Sequence, residues 1–77
     1  MGRKPKADEG IVVNKIEALR VKVGLSRQEL ADRVDVHYQT IGYIERGEYS
    51  PSLVLAIKIA AALGKKVEQV FSLEEEN

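Results

Sequence analysis

Hydrophobic positions along this chain recur at helical spacing in short runs, each closed by a glycine, a proline or a polar cap. Ile16, Leu19 and Val23 share one face of a segment from Asn14 to Val23 that stops at Gly24, which predicts a first helix. Leu30 and Val34 stand at i, i+4 with Ala31 beside them, and a small residue there lets a crossing helix come close. That second helix opens with Ser26 three residues before Glu29, a capping box, with Leu25 and Leu30 at hydrophobic-staple spacing. Asp35 follows where the chain must turn sharply. Gly suits such a corner best, but Asp tolerates left-handed backbone better than most residues. A third helix is predicted from His37 to Arg46 on the inward pair Ile41 and Ile44. Ser50-Pro51 opens a fourth, with Pro at the first-turn position where its missing amide costs nothing. From Leu53 to Leu63 this helix is apolar nearly all round, Lys58 being its only charge, so burial on most sides is expected. Gly64 ends it. Val67 to Phe71 predicts one further short helix, with Lys65 and Lys66 at a start that disfavours positive charge.

The third helix carries chemistry on its other side. Opposite Ile41 and Ile44 lie Gln39, Gly42, Tyr43 and Arg46, with Tyr38 at the flank. Such a stripe has no task inside a core. Gln offers a paired donor and acceptor for adenine, Tyr a ring and a hydroxyl, and Arg a fork for guanine or phosphate. Gly42 costs about 1 kcal/mol against Ala in a helix interior. Either a side chain there would hold the helix out of a DNA groove, or Gly42 relieves a clash with a neighbouring helix.

The stretch from Leu25 to Leu63 resembles the Cro and phage-repressor helix-turn-helix family, also called Xre-type. Ser26-Arg27-Gln28-Glu29-Leu30-Ala31 opening one helix, Ile41 and Ile44 anchoring the next, and Ile44-Glu45-Arg46-Gly47 running on to Pro51-Ser52-Leu53 carry the resemblance. The family's usual Gly at the corner is Asp35 here, and its usual Ser capping the recognition helix is His37. The resemblance implies an all-α, five-helix repressor-like fold and a transcriptional regulator, a repressor in the simplest case, that binds double-stranded DNA. It implies base contacts from Tyr38, Gln39 and Tyr43 and phosphate contacts from Arg27 and Gln28, at a helix start whose amides already favour an anion. Thr40, Arg46, Tyr49 and Ser50 are implied as further phosphate contacts, and Arg20 with Glu45 as a structural ion pair. Smaller relatives suggest a role for the two ends. Ile11-Val12-Val13 is β-branched and Phe71-Ser72-Leu73 alternates, so they can pair as a short two-stranded antiparallel sheet, unless Ile11 to Val13 begins the first helix.

One recognition helix spans only a few base pairs, whereas two related by a two-fold axis about 34 Å apart read a palindromic operator. A homodimer is therefore expected. Val67, Val70, Phe71 and Leu73 are candidates for its interface, being apolar, late in the chain and outside the motif, although packing of the last helix would use them equally well.

Charge complicates this picture, because twelve basic and twelve acidic residues cancel and a DNA-binding domain is commonly basic. Without Glu74, Glu75 and Glu76 the balance is twelve basic against nine acidic residues. Residues 1–10, holding Arg3, Lys4 and Lys6, are expected as a basic arm, either laid along DNA or merely solubilising. Residues 11–73 would form the domain and 74–77 an acidic tail. At 77 residues there is room for one small core. No cysteine is present, and no second histidine joins His37, so disulfides, thiolate catalysis and the usual zinc sets are excluded. His37 is left to cap its helix or touch phosphate. Gly42 and Gly47 do not form a phosphate-cradling loop, Asp32 and Asp35 read as solvated charges, and no enzyme, cofactor or small-molecule ligand is expected. No apolar run approaches a membrane span and Met1 to Gly10 lacks a signal-peptide core, which leads to an expectation of a cytoplasmic protein. A different class stays open: an interaction module of the same fold, of antitoxin or co-activator type.

Overall fold

In the computed structural model residues 10–74 are described, so the expected basic arm and acidic tail lie outside them except for Gly10 and Glu74. The chain runs β1 (Val12–Asn14), α1 (Ile16–Val23), α2 (Arg27–Val34), α3 (Tyr38–Glu45), α4 (Leu53–Ala62), α5 (Val67–Val70) and β2 (Phe71–Leu73). α2 packs on both α3 and α4, and α4 on α5. Ile16, Leu30, Ile41, Ile44, Ile59 and Val70 are the large side chains fully enclosed between them. These come from every helix, so no element can close the core alone.

Local chemistry explains the corner. Ser26 Oγ accepts from the Glu29 amide at 3.0 Å, and Glu29 Oε1 accepts from the Ser26 amide at 2.8 Å. The Ser26 amide first, then its hydroxyl, hold the Glu29 carboxyl below its ordinary value, with Arg33 adding to the effect. At the other end of α2, Asp35 takes the left-handed conformation with φ 63°, while the Val36 amide reaches back to the Ala31 carbonyl at 3.0 Å. The turn is made without glycine.

Several elements depart from the expected pattern. α1 begins at Ile16 rather than Asn14, because Asn14 closes a strand and its Oδ1 accepts from the Ile16 amide at 3.0 Å. Val23 lies exposed in the last turn, and the inward face of α1 is carried by Ile16 and Arg20 with Leu19 partly buried against the core. α4 begins at Leu53, since Ser52 Oγ accepts from the Leu55 amide at 3.1 Å; Pro51 therefore precedes the cap. Burial of α4 on most sides is also corrected: Leu53, Val54 and Ile57 face outward. The core of so small a domain is one layer deep and covers only one side of that helix. α5 stops at Val70, and Phe71 already belongs to β2.

The strands pair antiparallel with Val12 opposite Leu73, Val13 opposite Ser72 and Asn14 opposite Phe71. The Glu74 amide also donates to the Ile11 carbonyl at 2.7 Å, one step beyond the ladder. Both described ends of the domain are thus tied together, and Val70, directly before β2, is drawn into the core. At 1 % exposure Val70 has no surface to offer a second chain, which removes it from the expected dimer interface.

Candidate nucleic-acid interface

α3 is held at both ends and along its underside. At its start His37 Nδ1 accepts from the Gln39 amide at 3.1 Å, so the imidazole supplies the cap that a hydroxyl more often supplies. Its ring also stacks on Tyr38, with centroids 4.9 Å apart. Ile41 and Ile44 are enclosed beneath the helix. Beyond Arg46 the backbone reverses at Gly47, whose φ of 78° suits a residue without Cβ, and the Glu48 amide returns to the Tyr43 carbonyl at 2.8 Å.

The end of α3 is fixed by an ion cluster. Glu45 Oε2 accepts from Arg20 Nε at 2.8 Å, and Oε1 accepts from Arg27 Nη2 at 3.1 Å and Nε at 3.2 Å. The Glu45 side chain is 2 % exposed, that of Arg20 10 % and that of Arg27 39 %. Arg20 Nη1 donates further to the Leu25 carbonyl at 3.1 Å. One carboxylate thereby joins α1, α2 and α3. Asn14 ties in a fourth element, β1, its Nδ2 donating to the Ile44 carbonyl at 2.9 Å. The part of Arg27 in this cluster had no sequence signal, because its partner lies 18 positions away on another helix. Nor did that of Asn14.

On the outward side, Tyr38, Gln39 and Tyr43 are exposed, and with Arg27, Gly42 and Arg46 they surround a shallow concavity of about 220 Å³. Gly42 forms its floor. A Cβ added there would stand 3.3 Å from Arg46 Nη1 and 3.6 Å from Arg27 Nη1. The missing side chain leaves room for the ends of two arginine side chains, one from α2 and one just beyond α3. Arg46 lies over the Tyr43 ring at 5.3 Å, and its Nε donates to Glu48 at 3.2 Å in an exposed pair. Such a pair is worth little and leaves the guanidinium available to another acceptor.

The remaining expected contacts do not line this concavity. Gln28 is exposed at the start of α2 and donates to Asp32 at 2.9 Å; Thr40 is half-buried, and Tyr49 and Ser50 are exposed in the connection to α4. Of the interface candidates, Val67 and Phe71 are half-buried against the core and Leu73 is exposed. Among the described residues no cluster of His, Asp or Glu could hold a metal ion, and no helix is long and apolar enough to cross a membrane.

Two short helices meeting at a left-handed corner, the second presenting an exposed polar face flanked by arginines, define a helix-turn-helix domain. A family model described as helix-turn-helix matches residues 16–70, and the chain belongs to this Xre-type family of DNA-binding transcriptional regulators. The family is one of regulators and not of enzymes. The chain is 50 % identical over 64 residues to the uncharacterized HTH-type transcriptional regulator YgzD of Bacillus subtilis, covering 83 % of this chain and 97 % of that protein. Among solved structures it is similar to the restriction-modification controller protein C.AhdI of Aeromonas hydrophila, with a TM-score of 0.67 and 33 % identity over 70 % of this chain and 82 % of that one. It is also similar to the clp gene regulator ClgR of Corynebacterium glutamicum, with a TM-score of 0.66 and 29 % identity over 68 % of this chain, though it spans only 55 % of the ClgR chain.

Proposed function

We propose that this protein is a cytoplasmic repressor that binds a palindromic operator as a homodimer, with α3 in the major groove, and acts by occupying the site. The observation that carries this reading is the face of α3: Tyr38, Gln39 and Tyr43 exposed around a concavity floored by Gly42. Gln39 and the tyrosines have the donor and acceptor sets that distinguish base pairs. Arg27 and Arg46 line the concavity and would meet phosphates flanking a groove, and Gln28, Thr40, Tyr49 and Ser50 are taken as further phosphate contacts. Contacts of the second kind set register and supply affinity, while those of the first discriminate.

Selection of bound sequences from random duplexes tests the class, because a two-copy reader recovers an inverted repeat with half-sites about one helical turn apart. The division of labour is tested by Gln39→Ala and Arg27→Ala. Gln39→Ala is expected to flatten the preference for the selected sequence and leave nonspecific binding in place. Arg27→Ala should weaken all duplexes similarly and reduce the salt slope by about 1. Equal proportional loss of specific and nonspecific binding in both variants would refute the assignment.

A further inference from the structure

The two arginines of the concavity have acidic partners of different kinds. Arg27 is paired with Glu45, which is enclosed and joins three helices. Arg46 is paired with Glu48, and the two side chains are 50 % and 55 % exposed. This second pair connects residues two apart in sequence, so it joins no separate elements. The Glu48 amide returns to the Tyr43 carbonyl at 2.8 Å after the left-handed turn at Gly47, which fixes the residue beside the last turn of α3. Carbonyls at a helix end disfavour negative charge there, and an exposed pair returns little stability. Folding does not account for an acid at this position.

We infer that Glu48 is a brake on DNA affinity that acts through Arg46. The brake rests on the reading of α3 as the DNA-facing helix and sets how firmly that face holds any duplex. Arg46 lies along the face, its guanidinium 5.3 Å from the centre of the Tyr43 ring and its Nε on Glu48 at 3.2 Å. Among the described residues Glu48 bonds only Nε, which leaves both Nη groups as donors to a phosphate oxygen. The pair is too weak to withhold Arg46 from DNA, and what it removes is charge. An arginine that neutralises a phosphate releases about one condensed counterion, whereas one already balanced by a neighbouring carboxylate releases less. A carboxylate brought to the edge of a groove also repels the phosphate it meets. Arg46 then sets position without supplying its full share of affinity.

A backbone contact carries no sequence information. The brake therefore weakens every duplex by the same factor and leaves discrimination by Gln39 untouched. Such a setting suits a reader that must keep leaving the competing sites of a genome, roughly 10⁶–10⁹ in number. It also agrees with the even balance of twelve basic and twelve acidic residues, unusual in a chain that holds DNA.

Fluorescence-anisotropy titrations of the full chain against the selected sequence and a random duplex, at several salt concentrations between about 0.05 and 0.2 M, test this role. Glu48→Gln should melt like wild type, bind both duplexes about 3- to 10-fold more tightly at the lower salt, and steepen the salt slope by about 1. In an Arg46→Ala background the same substitution should lose most of that gain in affinity and slope. Glu68→Gln removes an equal charge from an exposed position on α5, and it should bind like wild type. The brake is refuted if Glu48→Gln leaves affinity and slope unchanged, or if its gain is confined to one of the two duplexes. It is equally refuted if the gain persists in full without Arg46, or if Glu68→Gln gains as much. Failure of wild type and Glu48→Gln alike to bind either duplex would remove the DNA reading itself, and the brake with it.

Discussion

Replacing Glu45 by Ala should be the most damaging single change outside the apolar core. Its carboxylate accepts from Arg20 and Arg27 while being 2 % exposed. Without it Arg20 keeps one bond, from Nη1 to the Leu25 carbonyl, and its charge remains in a nearly closed site. Removing one partner of a buried ion pair costs about 3–5 kcal/mol, chiefly because the other charge is left uncompensated. At about 0.05–0.15 kcal/mol per residue, a domain of this size holds roughly 4–12 kcal/mol in all. Glu45→Ala should therefore lower the urea midpoint by about 2–5 M at a slope of about 1–1.5 kcal/mol per M, or unfold the domain outright. Arg27→Ala provides the contrast: Glu45 retains Arg20, and the lost pair is partly solvated, so about 1 kcal/mol or less is expected. The double variant Arg20→Met with Glu45→Leu should recover most of the loss, because neither charge remains to be desolvated. Urea titrations followed by circular dichroism compare all four proteins. A loss below about 1 kcal/mol in Glu45→Ala would show that the cluster behaves as a surface pair. No recovery in the double variant would show that uncompensated charge is not the cause.

Ser26→Ala should cost about 1 kcal/mol by removing the hydroxyl cap of α2, seen as a lower melting temperature. Because the Glu29 carboxyl is held below its ordinary value in the folded state, its stabilisation is full above the ordinary carboxylate range and fades as pH falls through the folded value. Glu29→Gln should accordingly flatten the acid limb of a melting-temperature profile, and an unchanged limb would contradict the capping assignment. Gly42→Ala should hold or raise stability, by up to about 1 kcal/mol of helix propensity, since the added methyl meets only the ends of two arginine side chains. Its affinity for duplex should fall as the concavity fills; unchanged affinity would remove Gly42 from the interface. Asp35→Gly should raise the unfolding free energy by about 0.5 kcal/mol, because a left-handed residue with a Cβ is strained by roughly 1–2 kcal/mol and glycine returns part of that relief as chain entropy. A destabilised glycine variant would mean that the Asp35 side chain supports the corner.

Features that depend on neighbours in sequence were legible, and those that depend on neighbours in space were not. The Ser26–Glu29 box, the Asp35 corner and the inward pair Ile41 and Ile44 are local patterns, and each lies where the pattern predicts. The terminal strands were legible as well, although Asn14 rather than Ile11 completes β1. Apolarity all round α4 suggested enclosure because composition cannot show how many neighbours a helix has. Only the structure shows that, among the described residues, one side of it is left exposed. Val70 shows the converse: late position and apolarity fit an outer surface and packing of the last helix equally well, and the structure encloses it.

The same long-range contacts explain how so short a reading helix can hold its shape. α3 has eight residues, and isolated helices below about 12–15 residues are marginal in water. Its geometry must come from outside. His37 closes the first turn, Ile41 and Ile44 anchor the underside, and the end is gripped through Glu45 from α1 and α2 and through the Ile44 carbonyl from β1. The terminal sheet therefore does more than tidy the chain ends, since Asn14 bonds the end of α3 from a strand that β2 holds in place. Arg27 completes the connection. With Glu45 already paired to Arg20, the cluster of two arginines and one carboxylate keeps a net positive charge, and Arg27 is its exposed member. The fastening that positions the polar face thus also places a cation at its border.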